Sequence, residues 1–427
     1  MKKALSILLV AVMLLALVAC GGNGDAAPQG GNENVVLRVT YQSWMGGKYD
    51  FEAMKANFEA NHPGVTVEYN TVDNADVTTN MLQWSQGKTD CDIAIGGGRE
   101  HAVQYAAKGY IVPFEDDFFT GENAKENYFA SFLELGNIDG TQYMIPFTGE
   151  VMFIVCNVDL MKQAGLADEN GNIAPVQTWD DLYAYAEALS AIEGITPLSI
   201  DWGTNFMTYS YLSSLQGLKG SIYEDDGKTI DFTSEAAHEV LNQWVKLVNA
   251  GYTPVDTFAD MDAGRTNFKA GNVAMLMTAA SRWIECQANV GEGNTTVLAI
   301  PGTDVNGSLA YIHGAVIPAA SQNIELAKQF IVEEMMNDAI CQQALNTYGK
   351  MSPMLRHYEG LENKDWPTVV EATKAAATTP LYKDFSKLDS EIIIEIQSCL
   401  SGEMTVEDCL ASLAAYIQGL DLTTGLN

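Results

Sequence analysis

Residues 141–166 constrain the fold more than any other part of the sequence. Within this stretch, residues 151–156 form an unbroken apolar run of mostly strand-forming side chains. A strand without alternating polar positions is typical of a sheet that is buried on both faces, as in α/β proteins. We predict a helix directly after the strand, beginning at Asn157 or Asp159 and ending at Gly165.

A carboxylate immediately precedes this apolar run. Glu150 follows Thr148 and Gly149, and we predict that these three residues form a turn between a short extended segment and the strand. The charged side chain is then either solvated at the end of the strand or directed at a ligand. The residues alone leave both interpretations open.

The first 34 residues predict export and attachment to a membrane. Two lysines precede an apolar run, residues 5–18, that has the length of a signal peptide and is short for a membrane span. Cys20 follows this run and is itself followed by two glycines, which resembles a bacterial lipobox. We expect residues 1–19 to be a lipoprotein signal peptide and residues 20–34, lipidated at Cys20, to be a flexible tether. The alternative is an uncleaved anchor helix.

Length and charge narrow the class of protein. A chain of 427 residues is long enough for about two domains. The formal net charge of −32 argues against binding to nucleic acid and against electrostatic attachment to anionic lipid.

The cysteines predict neither a metal site nor a dense disulfide framework. Apart from Cys20, none lies in a CxxC pair or at metal-ligand spacing from a histidine or aspartate. We expect mostly free thiols, with Cys399 and Cys409 as the one disulfide candidate near in sequence. The six are Cys91, Cys156, Cys286, Cys341, Cys399 and Cys409. We expect no cofactor, because neither a phosphate-binding loop nor a catalytic motif is present.

Strand and helix patterns alternate along the first part of the chain, which predicts a parallel sheet with right-handed crossovers. The clearest helix patterns are an amphipathic stretch at 234–250 and a capped helix at 405–417. The predicted strands are 35–42, 65–69, 91–95, 194–200, 273–277, 297–301 and 311–318.

Several blocks together resemble the extracellular solute-binding proteins of ABC importers, the large sugar-binding family that includes maltose-binding proteins. The resemblance covers nearly the whole chain after the tether, and it lies in the order and spacing of the blocks. They include FEANHPGVTV at 58–67, GYIVPF at 109–114, NVDLMKQAGL at 157–166, PVQTWDDL at 175–182 and FKAGNVAM at 268–275.

This resemblance implies a fold. We expect an α/β, two-lobed, periplasmic-binding-protein-like architecture in which each lobe is a mixed, mostly parallel sheet flanked by helices. The ligand cleft and the hinge would lie between the lobes. Lobe one would comprise residues 35–146 and 315–353, and lobe two residues 147–314 and 354–427, with the chain crossing near 147–150, 313–316 and 352–358.

A sugar offers hydroxyl groups and an apolar ring face, so its site needs flat aromatic rings together with carboxylates, amides or arginines. In the family, the tryptophan matched by Trp283 stacks on ligand and the carboxylate matched by Glu150 contacts it. The alternatives are aromatic plugs at lobe edges and structural ion pairs; if Arg99 and Arg282 both face the cleft, an acidic sugar becomes plausible. The candidates at strand ends and crossings are Trp44, Arg99, Glu100, Glu150, Asp201, Trp202, Arg282, Trp283, Tyr311 and His313.

The resemblance implies a binding protein rather than an enzyme. We expect a monomer that is lipid-anchored at the outer face of the bacterial cytoplasmic membrane, captures a sugar and delivers it to ABC permease subunits. One alternative is a binder of another solute, such as a polyamine or an iron complex, on the same fold. The other is an anchored glycoside hydrolase, which would need paired carboxylates across one cleft.

Overall fold

The structure is a computed structural model, and it describes residues 34–73, 77–203, 206–291, 293–302 and 307–426. The predicted signal peptide, the lipidation site Cys20 and all of the tether except Asn34 lie outside the described residues. In the part of the chain that is described, no helix is both long enough and apolar enough to cross a membrane.

The described strands vary from two-residue pairings to one strand of thirteen residues. They are β1 (Val35–Gln42), β2 (Val65–Val72), β3 (Ile93–Gly97), β4 (Asn137–Ile138), β5 (Thr141–Gln142), β6 (Ile145–Asn157), β7 (Thr196–Ile200), β8 (Val273–Ala279), β9 (Thr295–Leu298), β10 (Leu309–Val316) and β11 (Ala377–Thr378).

The described helices fill most of the chain between and after these strands. They are α1 (Phe51–Asn61), α2 (Val77–Ser85), α3 (Arg99–Ala106), α4 (Ala130–Glu134), α5 (Val158–Gln163), α6 (Trp179–Leu189), α7 (Phe206–Lys219), α8 (Glu235–Asn249), α9 (Ala263–Lys269), α10 (Ala280–Val290), α11 (Ile324–Phe330), α12 (Asp338–Tyr348), α13 (Trp366–Ala375), α14 (Phe385–Leu400) and α15 (Val406–Ile417). The predicted helix after the apolar run is confirmed as α5, and Asn157 caps it by accepting a hydrogen bond from the Leu160 N–H at 3.3 Å.

One mixed sheet connects most of these strands. Its order is β2-β1-β3-β10-β6-β8-β7, with β11 added to β10 and β9 added to β6. The pairs β1–β3, β7–β8 and β10–β11 are parallel, whereas β10 pairs antiparallel with β3 and β6, and β6 pairs antiparallel with β8 and β9. The prediction of an α/β protein with a mixed sheet flanked by helices is confirmed.

Strand β6 belongs to both halves of this sheet, and all thirteen of its residues are buried. Residues 145–151 pair with β10, whereas residues 152–157 pair with β8 and β9. The predicted turn at Thr148, Gly149 and Glu150 is therefore wrong, because these residues continue the strand and lie opposite His313, Ile312 and Tyr311 of β10. Two polar side chains and a glycine indicated a break, but the backbone remains paired through them.

Two of the three hydrophobic core clusters follow the same division, whereas the third, which includes Ala102 and Trp283, contains residues from both halves. One cluster surrounds β1 and β3 and includes Leu37, Phe58 and Ile317. A second cluster surrounds β7 and the helices α7, α8, α14 and α15, and it includes Trp244. The residues of the first cluster come from 37–147 and 315–354, and those of the second lie within 152–422. The lobe boundaries themselves remain a prediction.

Gly149 brings β6 close to two neighbouring segments. Its N–H donates to the Met351 carbonyl oxygen at 2.8 Å, and a Cβ added at this position would lie 2.2 Å from Cζ of Phe132 in α4. Only glycine lets the crossing strand pass this ring without displacing it.

We therefore expect the variant Gly149→Ala to lose about 1–3 kcal/mol of unfolding free energy, because the methyl group overpacks against the buried Phe132 ring. Denaturant unfolding measures the loss. Gly419→Ala is the matched control, since its added Cβ would meet nothing closer than the Tyr416 carbonyl oxygen at 3.4 Å. Equal stability of both variants would contradict the close packing at the crossing.

Candidate functional site

A cavity of about 390 Å³ lies where α3, α7 and β10 meet the loop after β1. Five of the ten candidate residues line it, namely Trp44, Arg99, Glu100, Tyr311 and His313. The sequence did not single out three further lining residues, which are His101, Phe206 and Tyr209. A larger groove of about 980 Å³, bordered by residues 172–178 and by α13, contains none of the candidates.

Aromatic rings form one wall of this cavity. The rings of Tyr209 and Tyr311 stack with centroids 4.5 Å apart and an interplanar angle of 26°. Phe206 meets Tyr311 edge to face at 6.4 Å. Phe206 and Tyr209 lie three residues apart in α7, so both project from the same face of that helix. The sequence analysis did not select these two residues, although their spacing in a predicted helix could have indicated a shared aromatic face.

Trp44 lies on another side of the cavity and is held by three neighbours. Its Nε1–H donates to the Gln42 side-chain oxygen, and its ring lies 5.0 Å from the imidazole of His313. The ammonium group of Lys350 lies 4.9 Å from the ring centroid, within the range of a cation–π interaction. The indole remains half-buried, so part of it is accessible to a bound molecule.

His313 is a neutral hydrogen-bonding group at this site. Burial lowers its pKa, and the nearby charge of Lys350 lowers it further against the opposing effect of the Gly96 carbonyl. Its Nδ1 lies 2.9 Å from that carbonyl oxygen, which can only accept, so Nδ1 carries the proton. The other ring nitrogen is then left as an acceptor.

Glu100 provides the carboxylate of the cavity. It lies in the first turn of α3 and is half-buried. Burial alone would raise its pKa, but the hydrogen bond and charge of His101, 2.8 Å away, outweigh burial, so the pKa of Glu100 is lowered. The group therefore remains charged at neutral pH and can accept hydrogen bonds.

Arg99 lines the cavity, but its guanidinium group already donates hydrogen bonds to backbone carbonyl oxygens. The side chain donates to the carbonyls of Thr379 at 2.5 Å and Glu134 at 2.9 Å, and to that of Asn137 at 3.3 Å. Burial lowers its pKa. These bonds connect the start of α3 with the segment after β11, so the role of Arg99 here is to hold two parts of the chain together.

Asp201 and Arg282 form a buried ion pair behind the cavity wall. The Asp201 carboxylate accepts from the Arg282 guanidinium and from the Thr278 hydroxyl. Burial alone would lower the pKa of Arg282, but Asp201 outweighs it and the pKa is raised. The guanidinium carbon lies 4.2 Å from the ring centroid of Phe206. The prediction that these two residues contact ligand is corrected, because neither lines the cavity and their ion pair lies against the Phe206 wall.

Trp202 and Trp283 lie in the hydrophobic core, and neither is exposed to solvent. Trp202 packs against Trp244 at 5.9 Å between ring centroids, and Trp283 packs against Trp366 at 5.1 Å. Their prediction as stacking residues is corrected, since a fully buried ring offers no free face to a ligand. Helix α10 already begins at Ala280, which places Trp283 on its buried face rather than in a loop.

Glu150 is buried and does not line the cavity. One carboxylate oxygen accepts from the Ser281 N–H at 2.8 Å, in the first turn of α10. The other lies 3.5 Å from the ammonium group of Lys350, the same group that lies over Trp44. Neither sequence interpretation holds, because Glu150 connects a helix start to the loop that positions Trp44. Lys350 was missed because 200 residues separate it from Glu150.

We expect Glu150→Ala to cost about 2 kcal/mol of unfolding free energy, because it leaves the Ser281 N–H and the Lys350 ammonium without their shared partner. Glu150→Gln keeps an acceptor for Ser281 and should cost about half as much. Urea unfolding measures both, with the exposed Glu187→Ala as a control that should change stability by less than about 0.5 kcal/mol. Glu150→Ala behaving like the control would contradict this connection.

Comparison with known proteins places this arrangement in a family. A profile described as bacterial extracellular solute-binding protein matches residues 44–332. A putative binding protein of Brucella abortus (strain 2308) is 25% identical over 318 residues, which are 73% of each chain.

Two solved structures share the fold over almost their whole length. The maltose-bound MalE3 of T. maritima has a TM-score of 0.75 at 16% identity, covering 90% of this chain and 99% of the other. A Thermotoga lettingae ABC transporter solute-binding protein, bound with alpha-D-tagatose, has a TM-score of 0.76 at 18% identity, covering 90% and 98%. The chain therefore has the two-lobed α/β fold, and it belongs to the family of bacterial extracellular solute-binding proteins.

Proposed function

We propose that this protein captures a carbohydrate, an oligosaccharide of neutral charge, in the cavity beside Trp44 and delivers it to an ABC-type importer. The observation that carries this proposal is the combination of Trp44 with the stacked Tyr209 and Tyr311 around one cavity. Flat aromatic surface suits the apolar face of a sugar ring.

The polar groups of the cavity suit sugar hydroxyls. Glu100 accepts hydrogen bonds through a charged carboxylate, and a neutral His313 adds a second acceptor. Hydroxyl groups can donate to both. These two residues, with Trp44, Tyr209 and Tyr311, form the ligand-binding set that we propose.

The charges of the site favour a neutral ligand over an acidic or a polycationic one. Arg99 is occupied by backbone carbonyls and Arg282 by Asp201, so neither is available for an acidic sugar. Among the described lining residues, Glu100 is the one carboxylate, whereas a polyamine site would use several. A glycoside hydrolase would need a second carboxylate across the same cavity.

Capture would proceed by closure of the two lobes around the hinge formed by β6 and β10. A ligand shifts the population toward the closed form only if it makes more favourable contacts there than in the open form. Trp44 follows β1 and Glu100 follows β3, whereas α7 packs against β10, β6 and β8, so a sugar between them can contact both sides. A lipid anchor at Cys20 would keep the protein beside the permease.

We expect Trp44→Ala to weaken sugar binding by at least about tenfold, because about 1.4 kcal/mol of stacking is lost. Thermal-shift screening of neutral oligosaccharides identifies the ligand, since binding to the folded form alone raises the melting temperature. Isothermal titration then compares the variants. Trp283→Phe is the matched control and should bind as the wild type does, because Trp283 lies in the core. Unchanged affinity in Trp44→Ala would refute the proposed site.

A further inference from the structure

Helices α14 and α15 form a hairpin that brings two cysteines together. Cys399 lies in the last turn of α14 and Cys409 in the first turn of α15, and residues 401–405 connect them. Further along the pair, the Ser412 hydroxyl donates to the Glu395 carboxylate at 2.9 Å. Glu395 comes before Cys399 in α14, whereas its partner Ser412 comes after Cys409 in α15. The two helices therefore run antiparallel.

The two thiols contact each other inside the core. Cys399 is 3% exposed and Cys409 is fully buried. The hydrogen bond between them lowers the pKa of Cys399 and raises that of Cys409. No other described cysteine has a cysteine partner of this kind; Cys91 contacts the Thr89 hydroxyl at 3.7 Å and Cys341 donates to the Met335 carbonyl at 3.2 Å.

We propose that Cys399 and Cys409 are a redox site, which a dithiol–disulfide oxidant of the extracytoplasmic space converts to an intramolecular disulfide during folding. The family to which the chain belongs is extracellular, and disulfides form and persist outside the cytoplasm. The oxidation takes place before the hairpin packs, because both sulfur atoms are buried afterwards.

Thiol–disulfide exchange accounts for all atoms and electrons. The Cys399 thiolate attacks one sulfur of the oxidant's disulfide, which forms a mixed disulfide and releases the oxidant's other sulfur as a thiolate. Cys409 then loses its proton and attacks the Cys399 sulfur, which forms the Cys399–Cys409 bond and releases the reduced dithiol. The protein loses two protons and two electrons; the oxidant gains both electrons, and its two thiolates take up both protons to give the dithiol.

Either thiol can make the first attack, because both sulfur atoms are accessible before the hairpin packs. In the folded protein Cys91, Cys286 and Cys341 are buried, and none of them has a cysteine beside it in the described part of the chain. These isolated thiols are expected to stay reduced.

The disulfide would stabilise the scaffold behind the cavity without touching the ligand. Helix α14 packs against α7, which supplies Phe206 and Tyr209 to the cavity wall. Closing the hairpin restricts the unfolded chain and so favours the folded state. Ligand affinity should therefore be the same with and without the bond.

The experiment alkylates the free thiols of the secreted, full-length protein with iodoacetamide under denaturing, non-reducing conditions. The protein is then digested with a protease that cleaves after glutamate. Cleavage after Glu403 and Glu407 separates the two cysteines, so a disulfide appears as a cross-linked peptide pair. We expect this cross-link in the wild type and in the control Cys341→Ser. In Cys399→Ser, Cys409 should be alkylated.

A thermal measurement gives an independent readout. Dithiothreitol should lower the melting temperature of the wild type by on the order of a few degrees. It should leave that of the double variant Cys399→Ser/Cys409→Ser unchanged. Complete alkylation of both Cys399 and Cys409 in the wild type, with no effect of dithiothreitol on its melting temperature, would overturn the proposal.

Discussion

The continuous pairing of β6 with both halves of the sheet is the constraint on which the rest of the structure depends. Its first half pairs with β10, and its second half pairs with β8 and β9. A buried carboxylate at the midpoint of such a strand would be costly without partners. Glu150 has two, the start of α10 and Lys350, and Lys350 also contacts Trp44. Glu150 therefore connects the sheet to the start of α10 and, through Lys350, to Trp44 at the cavity.

Local patterns were enough to predict much of the fold. The apolar run at 151–156 indicated a buried strand and Asn157 the start of the following helix, and both predictions are confirmed because they rest on neighbouring residues. The predicted turn at residues 148–150 failed for the opposite reason. Polar residues there suggested a break, whereas their partners come from distant segments, and a single sequence does not reveal such pairings.

The candidate site divides in the same way. Trp44, Glu100, Tyr311 and His313 follow strand ends or lie on the crossing strand β10, and the structure brings them to one cavity. Trp202 and Trp283 occupy comparable positions in the sequence but turn into the core. Which side a ring faces depends on tertiary packing, so residue type and position could not separate the two groups. The ion pair of Asp201 with Arg282 was likewise visible only in three dimensions.

A crystal structure of the protein with a bound neutral oligosaccharide tests the central claim most directly. The account predicts a sugar ring in van der Waals contact with Trp44 and with the Tyr209–Tyr311 pair, hydroxyl groups hydrogen-bonded to Glu100 or His313, and Glu150 still bonded to Ser281. An oligosaccharide bound instead in the groove beside residues 172–178, with the cavity at Trp44 unoccupied, would contradict it.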